Sequence, residues 1–145
     1  MDEDETDAYA LCPSDGISNS DACYWIVPKG LNEAAVLNMC KAHNGTLASI
    51  PNQAVSNFIT NNLRSVLTNL TYLYAAILIG VNDKHTEGRY MNYEGELQNW
   101  TNWDAGYPGG GSSYNCVKIL PAFGNKWHDD DCFVETPGVC YFKCR

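Results

Sequence analysis

The residues best suited to chemistry form an acidic run late in the chain. His128 is followed directly by Asp129, Asp130 and Asp131. Calcium prefers hard oxygen ligands such as carboxylates, whereas imidazole suits zinc and other transition metals. The run can therefore be interpreted as part of a calcium site or as a solvated acidic loop. A zinc site on His128 is the weaker interpretation, since structural zinc needs four well-placed ligands.

Catalytic chemistry is not indicated by the remaining polar residues. Glu94, Glu96 and the acidic run supply carboxylates, but no pair is marked as lying across a cleft, as glycoside hydrolysis requires. His43, His85 and His128 have no recognisable nucleophile beside them. The sequence therefore predicts a binding protein and not an enzyme.

An irregular segment rich in aromatic residues precedes the acidic run. It extends from Trp100 to Tyr114 and contains Pro108 and three consecutive glycines. Long irregular loops in compact domains are usually functional. Tyr107 and Tyr114 lie in this segment, and each offers an apolar ring face together with a hydroxyl group.

Cysteine usage indicates an oxidising compartment. The chain has seven cysteines, and Cys116 and Cys132 bracket the acidic run. No pair of close Cys-X-X-Cys motifs points to a zinc or thioredoxin site, so disulfides and a secreted, extracellular protein are expected. Three Asn-X-Thr triplets are candidate glycosylation sites and favour the same route, at Asn44, Asn69 and Asn99.

Length and charge narrow the set of partners. The 145 residues allow one domain with a sizeable core, and the net charge is −8. This charge argues against nucleic acid, heparin and anionic membranes, which need a basic surface. No apolar run approaches the roughly 20 residues of a membrane span.

The first residues differ in composition from the rest of the chain. We interpret residues 1–10 as an acidic flexible tail and residues 11–145 as the domain. The acidic start is unlike a secretory signal, so we expect that a signal was removed from the native protein and that Met1 was added for expression.

Hydrophobic periodicity predicts helices followed by short strands. Leu31–His43 and Asn52–Leu70 have helical spacing, with Asn44-Gly45 ending the first and Asn52 capping the second. The period then changes, and four short strands are predicted: Ala75–Val81, Arg89–Tyr93, Val117–Leu120 and Val139–Phe142.

Several motifs, in this order, resemble the C-type lectin-like domain family. They are the Cys12/Cys23 hairpin before Tyr24-Trp25, Leu47-Ala48-Ser49-Ile50, Ile79–Asp83, Glu87–Tyr90, Asn102-Trp103, Asn115-Cys116-Val117, Trp127-His128-Asp129 and Val139-Cys140. The resemblance is to the long form, and Asp83–Trp103 is similar to collectins. It implies an α+β fold in which two helices flank small antiparallel sheets with a long irregular loop. It also implies that Trp103 and Trp127 pack in the core.

The resemblance also implies a disulfide pattern. The pairs would be Cys12–Cys23, Cys40–Cys140 and Cys116–Cys132. Cys144 is left over, either as a free thiol or as an interchain bond of a covalent homodimer.

Sugar-binding members of the family hold a calcium ion between the long loop and the following strand. At the first ligand motif this chain has Tyr107-Pro108-Gly109, which keeps the proline expected to be cis but lacks both flanking ligands. Tyr114 and His128 replace two more ligands, and Asp129 remains, with Asp130 beside it as an added carboxylate. Asp83, Glu87 and Asn115 match an auxiliary calcium site of collectins. Calcium is therefore an uncertain cofactor.

These observations favour a secreted lectin. Its candidate sugar-binding residues are Tyr107, Pro108, Gly109, Tyr114, His128 and Asp129, and the family suggests innate recognition or agglutination of cell-surface or microbial glycans. The alternative is a calcium-independent member that uses the same loop to bind a protein or, less favoured, a mineral or ice surface.

Overall fold

The computed structural model describes residues 16–19, 22–27, 29–70 and 76–143, with the side chains of residues 63–70 left undescribed. The predicted acidic tail, Cys12 and Cys144 lie outside these residues. Among them, no helix is both long enough and apolar enough to cross a bilayer.

Two helices form where the sequence places them. Helix α1 spans Glu33–Ala42, because the Asn32 side chain accepts a hydrogen bond from the Ala35 amide at 3.0 Å and opens the first turn. It ends before Asn44, which adopts φ 63°, and the Gly45 amide donates back to the Cys40 carbonyl. The predicted helix Leu31–His43 is confirmed with shorter ends.

Helix α2 spans Gln53–Leu70. The Asn52 side chain accepts from the Val55 amide at 2.9 Å, which confirms the predicted cap. Ser56, Ile59 and Thr60 are buried on the face that packs into the domain.

Two small antiparallel sheets supply the remaining framework. The first has the order β1-β2-β7-β3, and the second has the order β4-β5-β6. The strands are β1 Ile17–Asn19, β2 Ala22–Ile26, β3 Thr46–Leu47, β4 Ile77–Asn82, β5 Cys116–Leu120, β6 Lys126–Asp130 and β7 Val139–Lys143. Two helices beside small antiparallel sheets confirm the predicted α+β architecture.

The strand predictions differ in accuracy. Ile77–Asn82, Cys116–Leu120 and Val139–Lys143 lie close to their predicted bounds. The predicted strand Arg89–Tyr93 is wrong, since this segment has only two isolated bridges, both at Met91, to Asn82 and Leu97. The reason is local: the Asn92 side chain accepts from the Glu94 and Glu96 amides and forms a turn there.

Two of the expected disulfides are present among the described residues. Cys40–Cys140 joins α1 to β7, and Cys116–Cys132 joins the start of β5 to the segment after β6. Cys23 is also disulfide-bonded, and its expected partner Cys12 lies outside the described residues. The covalent framework therefore ties the four-stranded sheet to α1, and the three-stranded sheet to the segment that follows the acidic run.

An aromatic cluster fills the core beneath the long loop. Trp127 is fully buried, and the rings of Trp100 and Trp103 each meet it edge-on, with centroids 5.6 Å away. Trp103 also bridges to the Trp127 backbone, so the loop is attached to β6 at this point. The expected packing roles of Trp103 and Trp127 are confirmed.

The close approach of β4 to the Leu47–Ala48 backbone can be tested at Gly80. A Cβ at Gly80 would lie 2.2 Å from the Leu47 carbonyl oxygen and 2.8 Å from the Ala48 carbonyl carbon. We expect Gly80→Ala to lower the free energy of unfolding by about 3 kcal/mol in urea titrations, because backbone atoms cannot move aside. The matched variant Gly95→Ala has open space but φ 84°, and should cost only about 1–2 kcal/mol. Equal losses would contradict this account.

Candidate functional site

Strand β6 places alternate residues of the acidic run on opposite faces of its sheet. Along Lys126–Asp130 the burial alternates, so that Trp127 and Asp129 are buried whereas His128 and Asp130 are partly exposed. Successive side chains of a strand point to opposite sides of the sheet. Neighbouring residues of the run therefore have different environments and cannot act as one cluster.

Asp129 anchors the long loop through backbone amides. Its side chain is 4% exposed, and both carboxylate oxygens lie 3.1 Å from the Gly109 nitrogen. The Gly110 nitrogen donates to Oδ2 at 2.8 Å. Hydrogen bonds to an ionised acceptor are stronger than neutral ones, so this contact holds the loop tip against β6.

His128 supports the ring of Tyr107. The two rings are stacked, with centroids 3.7 Å apart and planes within 5°. His128 Nε2 lies 2.9 Å from Asp104 Oδ2, and this contact lowers the pKa of the Asp104 carboxyl. The imidazole is thus fixed on one side by a carboxylate and on the other by a phenol ring.

The second loop tyrosine is positioned by a glycine. A Cβ at Gly110 would lie 2.0 Å from Tyr114 Cδ2, so the Tyr114 ring covers a place that only glycine leaves open. Tyr107 and Tyr114 are 39% and 40% exposed. The Tyr107-Pro108 peptide bond is cis, as the resemblance implied. The loop therefore presents two partly exposed tyrosines beside the Gly109–Gly110 turn.

The other two aspartates of the run have partners elsewhere. Asp130 forms an ion pair with Lys118, which is largely buried on β5. Asp131 follows the strand, and its side chain accepts from the Phe133 amide at 2.8 Å. Neither contact involves the long loop, so these carboxylates stabilise the sheet and the turn after it.

The residues do not fit the calcium ion that bridges sugar in the family. Such an ion needs six to eight oxygen ligands. Here Asp129 is occupied by two amide donors, Asp130 is paired with a lysine, and His128 offers a nitrogen that pairs with Asp104. Calcium at this place would have to displace these contacts. In the part of the chain that the structure describes, no group of three or more His, Cys, Asp or Glu side chains is arranged to hold a metal.

The position of the auxiliary calcium site, around Asp83 and Glu87, differs from the position at Asp129 because one of its carboxylate oxygens is unpartnered in the described part of the chain. Asp83 is buried, its Oδ2 accepts from the Gly88 amide at 2.9 Å, and its Oδ1 has no hydrogen-bond partner among the described residues. The pKa of the Glu87 carboxyl is raised, first by desolvation and then by the charge of Asp83. The Asn115 backbone lies next to Asp83, since its carbonyl accepts from the Asp83 amide at 3.2 Å. An unpartnered carboxylate oxygen among acidic neighbours fits a hard cation better than the position at Asp129 does.

Three residues of the site were missed by the reasoning from sequence. Asp104 fixes His128, Gly110 donates to Asp129, and Lys118 neutralises Asp130. Only the three consecutive glycines gave a signal in the sequence. Of the glycosylation candidates, Asn44 and Asn99 are exposed, whereas the side chain of Asn69 lies outside the described part.

The anchor at Asp129 can be tested by its effect on the loop. We expect Asp129→Asn to destabilise the fold by about 1–3 kcal/mol, because the amide of asparagine cannot accept at both positions. Hydrogen exchange at Gly109 and Gly110 should accelerate. Asp130→Asn is the matched control, since it breaks the pair with Lys118 and leaves both amide contacts. Equal acceleration in the two variants would refute the anchor.

The contact between Asp104 and His128 has an expected pH dependence. Because the folded-state pKa of Asp104 is lowered, its stabilising effect is present above the unfolded pKa of about 3.9 and is lost as the pH falls through the lower folded value. NMR titration of the Asp104 carboxyl carbon should give a midpoint below about 3.9. In His128→Gln the midpoint should rise, and an unchanged midpoint would show that His128 is not the cause.

Comparison with known proteins identifies the family. The family model described as the lectin C-type domain matches residues 28–142. The chain is 30% identical to lithostathine of Rattus norvegicus over 144 residues, which are 98% of this chain and 85% of that protein. It is 32% identical to collectin-10 of Xenopus tropicalis over 88% of this chain, but spans only 44% of that longer protein.

Solved structures share the fold. The C-type lectin CEL-I from Cucumaria echinata matches with a TM-score of 0.81 at 19% identity, over 92% of this chain and 99% of that one. Herring type II antifreeze protein matches with a TM-score of 0.80 at 21% identity, over 92% of this chain and all of that one. The chain therefore belongs to the C-type lectin domain family, whose members are binding proteins and not enzymes.

Proposed function

We propose that this protein is a secreted glycan-binding lectin, and that the long loop and β6 form its sugar site. The residues are Tyr107, Pro108, Gly109, Tyr114, His128 and Asp129. The observation that carries the proposal is the stack of Tyr107 on His128, which holds a partly exposed ring in a fixed orientation. A ring that is already ordered loses little conformational entropy when a ligand binds.

The chemistry of this surface suits a pyranose ring. Its C–H face would pack on the exposed part of Tyr107 or Tyr114, while sugar hydroxyls exchange hydrogen bonds with the phenol groups. Asp129 would act through the loop, since its carboxylate holds Gly109 and Gly110 in place. In this proposal sugar binding does not pass through a bridging calcium ion.

A calcium ion, where one is bound, would be held by Asp83 and Glu87 with Asn115. The unpartnered Oδ1 of Asp83 supports this assignment, because an unpaired buried carboxylate oxygen is costly. Such an ion would stabilise the turn between Asp83 and Gly88, and its contact with Asn115, without touching the sugar. Asp129 and Asp130 have their own partners and would contribute less.

Several features support an extracellular role. Two disulfides are expected to persist only in an oxidising compartment. Exposed Asn44 and Asn99 would accept glycans there. A covalent homodimer through Cys144 would present two sites and raise avidity for repeated glycans, which suits innate recognition or agglutination.

A protein ligand is the second candidate, and one observation favours it. Phe133 is 82% exposed, in a turn that the Cys116–Cys132 disulfide and Asp131 hold in place, and Val134 beside it is also exposed. Exposed apolar side chains that are rigidly held are typical of protein contacts. A mineral or ice surface is a weaker candidate.

A glycan array with and without calcium tests the proposed function. We expect binding in millimolar calcium that persists in chelator, because no step passes through a bridging ion. Tyr107→Ala should weaken binding by about tenfold or more, since a stacked aromatic contact is lost. The control Phe123→Ala removes a ring elsewhere that is more exposed, 61% against 39% for Tyr107, and should bind normally.

The other outcomes of the array are also informative. Binding that disappears in chelator would contradict the calcium-free sugar site. A blank array in both conditions would contradict the lectin proposal. In that case Phe133→Ala would be the first variant to examine for loss of a protein ligand.

A further inference from the structure

A polar groove lies on the side of the domain, and neither Tyr107 nor Tyr114 lines it. It consists of three adjoining hollows of about 590, 200 and 310 Å³. The first two share Leu97 and Gln98, and the last two share Ser49 and Pro51. None of the six proposed sugar-binding residues lines this side groove. We propose that the side groove is a second binding site, which takes one extended, uncharged glycan chain.

The shape of the side groove favours a chain over a single sugar. Its hollows follow one another from Tyr90 and Trp103, the second of which is in the long loop, to the four-stranded sheet at Tyr24 and Tyr141. Small-molecule sites typically enclose roughly 300–1,000 Å³, and the three hollows together exceed what one monosaccharide would occupy. Successive units of an oligosaccharide would fill successive hollows.

The middle of the groove holds hydrogen-bond acceptors in fixed positions. Gln98 Nε2 donates to the Ile50 carbonyl at 2.7 Å and to the Trp100 carbonyl at 2.6 Å, so its Oε1 is the amide atom left for a ligand. The Asn92 amide donates to Glu96 Oε1 at 3.0 Å and fixes that carboxylate. Ordered acceptors select a ligand rich in donors, and the hydroxyls of a sugar chain are such donors.

Apolar surface lies next to these acceptors. Leu97 is 49% exposed at the junction of the first two hollows. Tyr90 and Trp103 meet edge-on in the first hollow, with centroids 5.0 Å apart, and Trp100 borders the middle one. Alternating aromatic and polar groups match a pyranose, which has C–H faces and a rim of hydroxyls.

Charge restricts the kind of glycan. The groove is lined by three carboxylates, on Glu87, Glu94 and Glu96, against the guanidinium of Arg89. The carboxylates would repel sulfated or sialylated chains. Their excess over cationic groups in the groove has the same sign as the net charge of the chain, −8. A neutral chain is therefore expected.

The glycan chain in the groove has two candidate sources, an N-linked glycan on Asn99 and a free glycan. Asn99 lines the middle hollow and opens the acceptor triplet Asn99-Trp100-Thr101. An N-linked glycan on Asn99 would begin inside the groove and lie along it. The same site would accept a free glycan chain when Asn99 is unmodified.

The free chain is tested first, with protein from a host that adds no N-glycans. The probes are cellohexaose, maltohexaose and chitohexaose, with a heparin hexasaccharide as the anionic comparison. We expect calorimetry to show binding of at least one neutral hexasaccharide, weaker binding of its disaccharide and none of heparin. Amide shifts in NMR should centre on Leu97 and Gln98. Absence of neutral binding, or shifts confined to the tyrosine loop, would overturn the proposal.

Two variants separate this site from the tyrosine loop. Leu97→Glu should weaken binding of the hexasaccharide by at least about tenfold, because an apolar contact becomes a charge. Phe123→Glu, the same change at an exposed position outside the groove, should have no effect. Tyr107→Ala should leave this binding intact, so the two proposals fail independently. Loss of binding in Tyr107→Ala but not in Leu97→Glu would overturn the side groove.

The N-linked glycan on Asn99 is tested with protein from a glycosylating host, and intact mass verifies that Asn99 is occupied. A glycan at Asn99 should block the hexasaccharide, and Asn99→Gln from the same host should restore binding. Asn44→Gln is the matched control, since Asn44 is exposed elsewhere. Equal hexasaccharide binding by the Asn99-glycosylated protein and by Asn99→Gln would overturn the proposal, since the two chains must compete for one groove.

Discussion

The long loop depends on how the buried carboxylate of Asp129 is satisfied. A buried charge is costly unless it is paired or hydrogen-bonded. Here the Gly109 and Gly110 amides supply the donors, at 2.8–3.1 Å. The same contact that satisfies Asp129 therefore shapes the loop tip, and the positions of Tyr107 and Tyr114 follow from it. The loop is closed by the chain's own backbone.

One strand connects the core to this surface. In β6, Trp127 packs under the loop, His128 stacks on Tyr107, and Asp130 pairs with Lys118. Because the side chains alternate, each neighbour in the acidic run has a separate role. The disulfide between Cys116 and Cys132 fixes the start of β5 and the end of this segment. A stiff strand is what allows a loop without regular structure to hold a defined shape.

Much of the framework could be predicted from local signals. Asn52 and Asn32 cap the helices through contacts within three residues, so the helix starts are encoded nearby in the chain. The apolar run of β4 needed no other information to indicate a buried strand. Arg89–Tyr93 was predicted wrongly because its apolar residues favour a strand, whereas the Asn92 side chain forms a turn there. Local turn chemistry outweighed the pattern.

The sequence by itself determined the family, the α+β fold and the candidate loop, since these depend on motifs, cysteines and periodicity. Only the tertiary structure decided what each acidic residue does. Asp129 meets amides about 20 positions earlier, and His128 meets Asp104 across 24 positions. Such partners are chosen by the path of the folded backbone, which no local pattern encodes. The sequence shows that a carboxylate is present, but its hydrogen-bond partner is known only once folding has brought distant residues together.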